Sequence, residues 1–134
     1  MDQGVERLVR DAYAAFVAAD FDTLLRIFHP DAEYVNPPEA VEGGTRRGEA
    51  ELQQLWAGVH ELFDIDSVEV HELREAPAGV FAFVLFRGRG RGSGVPVDVQ
   101  QYHVIALRDG RIASLAWFLE REDALAAAGL WGSS

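Results

Sequence analysis

The segment from residue 97 to residue 119 holds the side chain best suited to proton chemistry in this chain. It predicts two long strands joined at Arg108-Asp109-Gly110, with His103 as the ionisable residue on a face that is otherwise mostly apolar or amide-bearing. An imidazole titrates near neutral pH and can serve as a general acid or base. A histidine turned toward a dry interior therefore either carries a catalytic proton or is a buried polar group bonded to a neighbour such as Gln101 or Tyr13.

A second group of side chains could orient or surround a ligand. Tyr34 and Asn36 offer a hydroxyl and an amide that can hold water or a ligand carbonyl, although asparagine before Pro-Pro is also typical of a strand that enters a turn. Gln101 is a third polar group of this kind. The aromatic residues that could wall an apolar cavity, and that at these spacings are more often plain core, are Tyr13, Phe16, Trp56, Phe83 and Trp117.

Neither a metal site nor a nucleic-acid site is predicted. His29, Asp31 and Glu33 could ligate a metal, but a helix end explains them better. The chain has no cysteine, which excludes disulfides, thiolate catalysis and cysteine-based metal sites. A formal charge of −10 argues against binding a phosphate backbone, so the alternation of arginine and glycine at 87–94 predicts a glycine-rich hairpin.

Composition and length predict one globular domain over residues 1–134. Apolar residues make up 49% of the chain, which is enough for a hydrophobic core. The N-terminus lacks the apolar region of a signal peptide, and no stretch approaches the length of a membrane span. We therefore expect a cytoplasmic protein without a membrane partner.

Hydrophobic periodicity predicts the elements that position these residues. Helical spacing marks 3–19, 23–28 and 48–63, a short strand covers 32–36, and 39–47 is a loop. Strand periodicity then covers 65–73, 80–86, 95–107 and 112–119, and a last helical turn at 123–128 is closed by Gly129. Helices followed by an antiparallel sheet indicate an α+β fold.

The turn of the last hairpin decides which residues share a face. A two-residue turn at Asp109-Gly110 places His103 opposite Ala116, whereas a three-residue loop with a bulged Gly110 places it opposite Leu115. We choose the three-residue loop, because it gives one coherent face: Val99, Gln101, His103, Ile105, Ala113, Leu115, Trp117 and Leu119.

The opposite face of that hairpin is also apolar, which predicts a partner for it. Its residues are Tyr102, Val104, Ala106, Ile112, Ala116 and Phe118. The three helices can cover only one face of the sheet. We therefore expect a homodimer formed through the other, convex sheet face.

Five short motifs, together with the order of elements, carry a family resemblance. The motifs are AADFD at 18–22, FHPDAEY at 28–34, Arg47-Gly48, RDGRI at 108–112 and ALAAAGL at 124–130. They resemble the SnoaL-like (polyketide cyclase-like) group of the nuclear transport factor 2-like superfamily over nearly the whole chain. The resemblance implies a cone-shaped α+β barrel, in which three N-terminal helices pack on a curved, mainly antiparallel sheet around a pocket at the open end.

The resemblance also implies three enzyme chemistries, and each lacks its carboxylate here. The position of the aspartate base of ketosteroid isomerases is Asn36, and their second acid falls at His103. The last-strand aspartate of SnoaL-type cyclases and of limonene epoxide hydrolases falls at Trp117, although Tyr34 and Asn36 match the Tyr-x-Asn pair with which the hydrolases hold water. The amide of Asn36 cannot abstract a proton as the aspartate base does.

We therefore expect a protein that binds a small apolar molecule and needs no cofactor. If it is an enzyme, His103 carries the proton, and Tyr34, Asn36 and Gln101 orient a carbonyl or water. The reaction would be isomerisation, cyclisation or dehydration of an apolar carbonyl compound. The alternatives are a non-catalytic ligand-binding or accessory domain and a pure dimerisation module.

Overall fold

The computed structural model describes residues 1–40 and 43–130, which form four helices and one six-stranded sheet. The helices are α1 (Gln3–Val17), α2 (Phe21–Ile27), α3 (Glu49–Leu62) and α4 (Arg121–Ala128). The strands are β1 (Phe28–Asn36), β2 (Gly44–Arg47), β3 (Phe63–Ala76), β4 (Gly79–Gly90), β5 (Pro96–Arg108) and β6 (Arg111–Phe118). Their order in the sheet is β2-β1-β6-β5-β4-β3. β1 and β6 run parallel and the other described pairs are antiparallel, which confirms an α+β fold with a mainly antiparallel sheet that is not closed.

The first two helices begin at aspartate caps. The Asp2 carboxylate accepts a hydrogen bond from the backbone N–H of Gly4 at 2.7 Å, and the Asp20 carboxylate accepts one from Thr23 at 3.2 Å. α4 ends at Gly129 with a φ of 81°, as predicted, because a left-handed residue closes a helix with little strain when it is glycine.

No helix in residues 1–40 and 43–130 is long and apolar enough to cross a bilayer.

Helices α1, α2 and α3 cover one face of the sheet, which we call the inner face and define by Ala82, Val84, His103, Ile105 and Leu115. Buried residues of all three helices and of this face form the main core. The most deeply buried large side chains in it are Trp56, Leu52, Ile105 and Ile112. Burial of this apolar area is the main source of stability, and it fixes α1 and α3 over the sheet.

The opposite face, which we call the outer face and define by Phe81, Phe83, Tyr102, Val104 and Phe118, is partly covered by α4. Three small or apolar residues of the helix, Ala124, Leu125 and Ala128, pack against it. Arg121 holds the start of α4 in place, because its guanidinium lies 5.2 Å from the centroid of the Phe81 ring and donates to Glu72 at 2.9 Å. The chain's own α4 thus covers part of the face that the sequence analysis left to a second subunit. A homodimer through this convex face stays a prediction.

The turn between β5 and β6 differs from the prediction. It is the two-residue turn Asp109-Gly110, whose φ angles are 54° and 74°, and Arg108 pairs with Arg111. The predicted three-residue loop is therefore wrong. The positive φ at both central residues matches the twist of the flanking strands, which is why Asp-Gly favours a two-residue hairpin.

A bulge two residues after this turn restores the predicted face. Ala106 pairs with Ser114 and Leu107 with Ile112, so Ala113 is unpaired and the register shifts by one residue. His103 then lies opposite Trp117, not Leu115 or Ala116. The register differs from the predicted one by two residues, and an even shift leaves the alternation of the inner face unchanged.

The same bulge moves Ile112 from the outer face, where it was predicted, to the inner core. Its side chain is fully buried there beside Leu107. Ala113 is half-buried at the bulge rather than paired on the inner face. One unpaired residue is enough to reverse the side to which every residue between it and the turn points.

Two predicted boundaries near the N-terminal half are also corrected. β1 begins at Phe28, four residues before the predicted strand, so residues 28–31, Pro30 among them, lie inside it. Proline is tolerated there because the pairing of β1 with β6 is interrupted between Phe28 and Glu33. β2 lies inside the predicted loop and pairs with the end of β1, from Glu33 to Asn36; residues 41 and 42 of that loop lie outside the described residues.

Candidate ligand-binding site

A cavity of about 330 Å³ lies between the helices and the inner face of the sheet. Its helical wall comes from α1 and α3, and its sheet wall from β1, β3, β4, β5 and β6. This volume lies within the range of sites that hold small molecules. The lining residues are mostly apolar, among them Phe16, Leu55, Trp56, Val59, Leu62, Phe63, Ile65, Phe86, Val97, Val99, Trp117 and Leu119.

Six of the nine residues that the sequence singled out line this cavity. They are Phe16, Tyr34, Asn36, Trp56, Gln101 and Trp117. Tyr13 and His103 lie behind the wall in the buried core. Phe83 must be corrected, because it lies on the outer face, where its ring stacks on Tyr102 at 4.9 Å, and it cannot wall the cavity.

His103 is enclosed on the inner face and bonded through both ring nitrogens. Its Nδ1 lies 2.7 Å from the Tyr13 hydroxyl, and its Nε2 lies 2.8 Å from Oε1 of Gln101. The residue is 1% exposed. Burial lowers the pKa of the imidazole from 6.5 to about 3, because the charged form loses its hydration. The ring is therefore neutral at physiological pH, and Gln101 stands between it and the cavity.

Asn36 and Trp117 form a second polar contact in the cavity wall. The indole Nε1–H of Trp117 donates to Oδ1 of Asn36 at 2.7 Å, and Nδ2 of Asn36 donates to the carbonyl of Gly44 at 3.1 Å. The amide thus joins β1 to both of its neighbours, β6 and β2. A carboxylate at position 36 could accept from the indole but could not donate to Gly44. The indole presents its apolar ring to the cavity because its one donor is used.

Tyr34 brings a hydroxyl to the cavity without a hydrogen-bond partner among the described residues. Burial raises its pKa above the ordinary value of 10, so the hydroxyl is a neutral donor at physiological pH. Burial, with a smaller contribution from Tyr34, also raises the pKa of Tyr13. Tyr34 and the amide nitrogen of Gln101 are thus two neutral donors with hydrogen-bonding capacity left for a ligand.

The tip of the hairpin between β4 and β5 is tied to the end of α3, where Leu62 and Phe63 line the cavity. Arg91 donates from its backbone N–H to the carbonyl of Leu62 at 2.8 Å, and its guanidinium donates to the carbonyl of His60 at 2.6 Å. Asp64 lies 3.0 Å from the same guanidinium. These contacts tie the hairpin to the end of α3 and so set the distance between two walls of the cavity.

Part of the cavity lining was not predicted from the sequence. Glu39, Ala40 and Gly88 contribute to it, whereas Leu119, which also lines the cavity, was placed on the predicted face. Gly88 allows close approach of two strands, since a Cβ there would lie 2.4 Å from the carbonyl oxygen of Asp64. The glycine alternation at 87–94 was the available signal, because glycine in a strand marks a close backbone approach.

Metal-capable side chains do not gather in the described part of the chain. No group of three or more His, Asp or Glu residues positioned to hold a metal ion occurs there. His29, Asp31 and Glu33, which were assigned to a helix end, lie instead along β1. The His29 ring instead accepts from the backbone N–H of Asp31 at 3.1 Å, and Arg108 lies beside it.

Comparison with solved structures identifies the fold. An NTF2-like protein from Burkholderia xenovorans LB400 aligns with a TM-score of 0.69 and 25% identity over 96% of this chain and 97% of that chain. TerC co-crystallised with polyporic acid aligns at 0.76 and 22% identity over 94% and 98%. IdmH from Streptomyces antibioticus, a proposed polyketide cyclase, aligns at 0.73 and 20% over 93% and 97%.

Comparison of the sequence itself gives the family. No curated protein matches the chain. The SnoaL-like domain matches residues 9–115, which is most of the sequence and includes α2, α3, the strands β1 to β5 and parts of α1 and β6. The chain therefore belongs to the SnoaL-like domain family.

Proposed function

We propose that this protein binds an uncharged, largely apolar small molecule in the cavity between the helices and the inner face. The observation that carries the proposal is the composition of the wall: apolar and aromatic side chains surround three neutral polar side chains, Tyr34, Asn36 and Gln101. Such a wall gains free energy from apolar contact, and a few donors orient the ligand.

The charges near the cavity favour a neutral ligand. The charged residues among its described lining are Glu39 and Arg87. The guanidinium of Arg87 is paired with Glu69 at 2.9 Å, and both residues are substantially exposed. A charged ligand group in the interior would lose its hydration without gaining an opposite charge, which is costly. A net charge of −10 further disfavours anions.

The second candidate is an isomerase, cyclase or dehydratase that acts on an apolar carbonyl compound. Membership of the SnoaL-like family and the likeness to IdmH, a proposed polyketide cyclase, favour it. Proton transfer by His103 receives less support, because its ring is neutral, bonded at both nitrogens and separated from the cavity by Gln101. Binding is therefore the function we propose first.

A cavity-filling substitution tests the binding proposal. Val99 lines the cavity, whereas its neighbour Gln100 is exposed and points to the opposite side of β5. We expect fluorene, a rigid uncharged probe, to bind the wild type with a dissociation constant on the order of 10–100 μM. Val99→Trp should weaken binding at least about tenfold, because the indole occupies the cavity, and Gln100→Trp should leave it unchanged. Equilibrium dialysis measures both.

Two results would count against the proposal. Fluorene that binds Val99→Trp as well as it binds Gln100→Trp must occupy another place on the protein. Absence of binding to the wild type at the solubility limit of the probe, with the protein folded by circular dichroism, would mean that the cavity is not an apolar binding site.

A further inference from the structure

Three polar side chains on the inner side of the sheet form a continuous hydrogen-bonded chain that ends at the cavity. It runs from the hydroxyl of Tyr13 on α1, through both nitrogens of His103 on β5, to the amide of Gln101 on the same strand. Of these residues only Gln101 lines the cavity. The hydrogen bonds of the first two residues therefore reach a ligand through the third.

The direction of the chain follows from the buried hydroxyl proton of Tyr13. This proton needs an acceptor, and among the described residues the hydroxyl has one hydrogen-bond partner, Nδ1 of His103. Tyr13 therefore donates to Nδ1. A neutral imidazole that accepts at Nδ1 carries its proton on Nε2, and that N–H donates to Oε1 of Gln101.

The opposite direction leaves a buried group unsatisfied. If Nδ1 carried the proton, it would donate to the Tyr13 oxygen, and the hydroxyl proton would have no acceptor in a residue that is 7% exposed. A buried donor without a partner bears its full desolvation cost. The amide of Gln101 would then have to turn its nitrogen toward His103 and its oxygen toward the cavity.

We infer that Tyr13 and His103 position the Gln101 amide so that its N–H donors face the cavity, and that the site therefore selects ligands with an oxygen acceptor, such as a ketone or a quinone. The inference rests on the proposed binding function and adds the chemical class of the ligand. Tyr34 lines the same cavity as a further neutral donor. Tyr13 and His103 are positioning residues in this arrangement, because neither lines the cavity.

Three tricyclic probes of one shape isolate the hydrogen bond. Fluorene has no polar group, 9-fluorenone has a carbonyl acceptor, and carbazole has an N–H donor. Their dissociation constants for the full chain are measured by equilibrium dialysis. The preference for a polar probe is the dissociation constant of fluorene divided by that of the polar probe. This ratio cancels effects of a variant on the apolar part of the cavity.

The first variant removes the donor. Gln101→Met keeps the length of the side chain and has no N–H group. We expect the preference for 9-fluorenone over fluorene to fall about fivefold relative to the wild type, as for the loss of one neutral hydrogen bond. The preference for carbazole should not fall, because the wild-type amide offers a donor and not an acceptor.

The second variant tests positioning without touching the cavity wall. In Tyr13→Phe the imidazole is free to carry its proton on either nitrogen, so the Gln101 amide can turn over. We expect the 9-fluorenone preference to fall about twofold to threefold and the carbazole preference to rise. Tyr102→Phe, which removes a tyrosine hydroxyl from the outer face of the same strand, is the matched control and should change neither ratio.

The outcomes separate the inference from the function on which it rests. If none of the three probes binds, the proposed function is wrong and the inference is overturned with it. If all three bind but Gln101→Met leaves the ratios unchanged, or if the wild type prefers carbazole, binding stands and the oxygen-acceptor selectivity is overturned. If Tyr13→Phe equals Tyr102→Phe in both ratios, the positioning role is overturned.

Discussion

Acidification from about pH 6 to about pH 4.5 is expected to lower the free energy of unfolding by about 2 kcal/mol through His103 alone. Burial lowers the pKa of this imidazole from 6.5 to about 3 in the folded protein. Between these two values the unfolded chain binds a proton that the folded chain does not. The free energy of unfolding is therefore highest above pH 6.5. Between the two pKa values it falls by up to about 1.4 kcal/mol for each pH unit of acidification.

Urea denaturation at several pH values measures this dependence, and His103→Gln supplies the control. Glutamine offers an acceptor for Tyr13 and a donor for Gln101 but does not titrate. The free energy of unfolding of this variant should therefore depend less on pH over the same range. Hydrogen bonds to Thr23 lower the pKa of Asp20 from 3.8, so that carboxylate contributes only at lower pH. Equal slopes for the wild type and His103→Gln would show that the imidazole is hydrated in the folded protein, contrary to the enclosed arrangement.

The second large effect is expected at Asn36. Asn36→Leu should lower the free energy of unfolding by about 2 kcal/mol, because it removes the acceptor of the Trp117 indole and the donor to Gly44 at once. It should also weaken fluorene binding, since β1 and β6 meet at this side of the cavity wall. Thermal or urea unfolding and equilibrium dialysis measure the two effects.

A double-mutant cycle with Trp117→Phe separates the hydrogen bond from packing. Phenylalanine has no N–H, so Asn36→Leu should be about 1 kcal/mol less destabilising in the Trp117→Phe background than in the wild type. Strict additivity of the two substitutions would mean that the bond between the indole and the amide contributes nothing, and the account of this wall would be wrong.

The inner face of the last hairpin could be predicted from the sequence, whereas its register could not. Alternation places Gln101, His103 and Ile105 on one side whatever the turn. The bulge at Ala113 depends on how β6 pairs with both β5 and β1, which no local pattern records. The predicted inner face is nevertheless correct, because the turn and the bulge together shift the register from the predicted one by an even number of residues.

Phe83 was predicted on the wrong side of the sheet because β4 is apolar at successive positions. β4 reads Val80 to Phe86 with apolar residues at every position, so its alternation carries no information about which side faces the helices. Pairing decides it: Ala82 lies opposite His103, and Phe83 lies opposite Tyr102. The helix α4, which covers part of that outer side, was predicted as an element, but its packing partner was not.

The depth of His103 could not be predicted either. The sequence indicates a histidine on the inner face, and Gln101 and Tyr13 were named as its alternative partners. The structure gives it both partners at once, because α1 crosses the sheet where Tyr13 reaches position 103, ninety residues away in sequence. In the arrangement we propose, this contact, rather than any local feature, lets His103 orient the amide of Gln101.

A crystal structure of the protein soaked with 9-fluorenone would show whether the cavity binds a ketone through Gln101. We expect the tricyclic ring inside the cavity against Trp117 and Phe16, with its carbonyl oxygen about 3 Å from Nε2 of Gln101. A compound bound on the outer face near Phe83 and Tyr102, or one inside the cavity with its carbonyl turned away from Gln101, would contradict it.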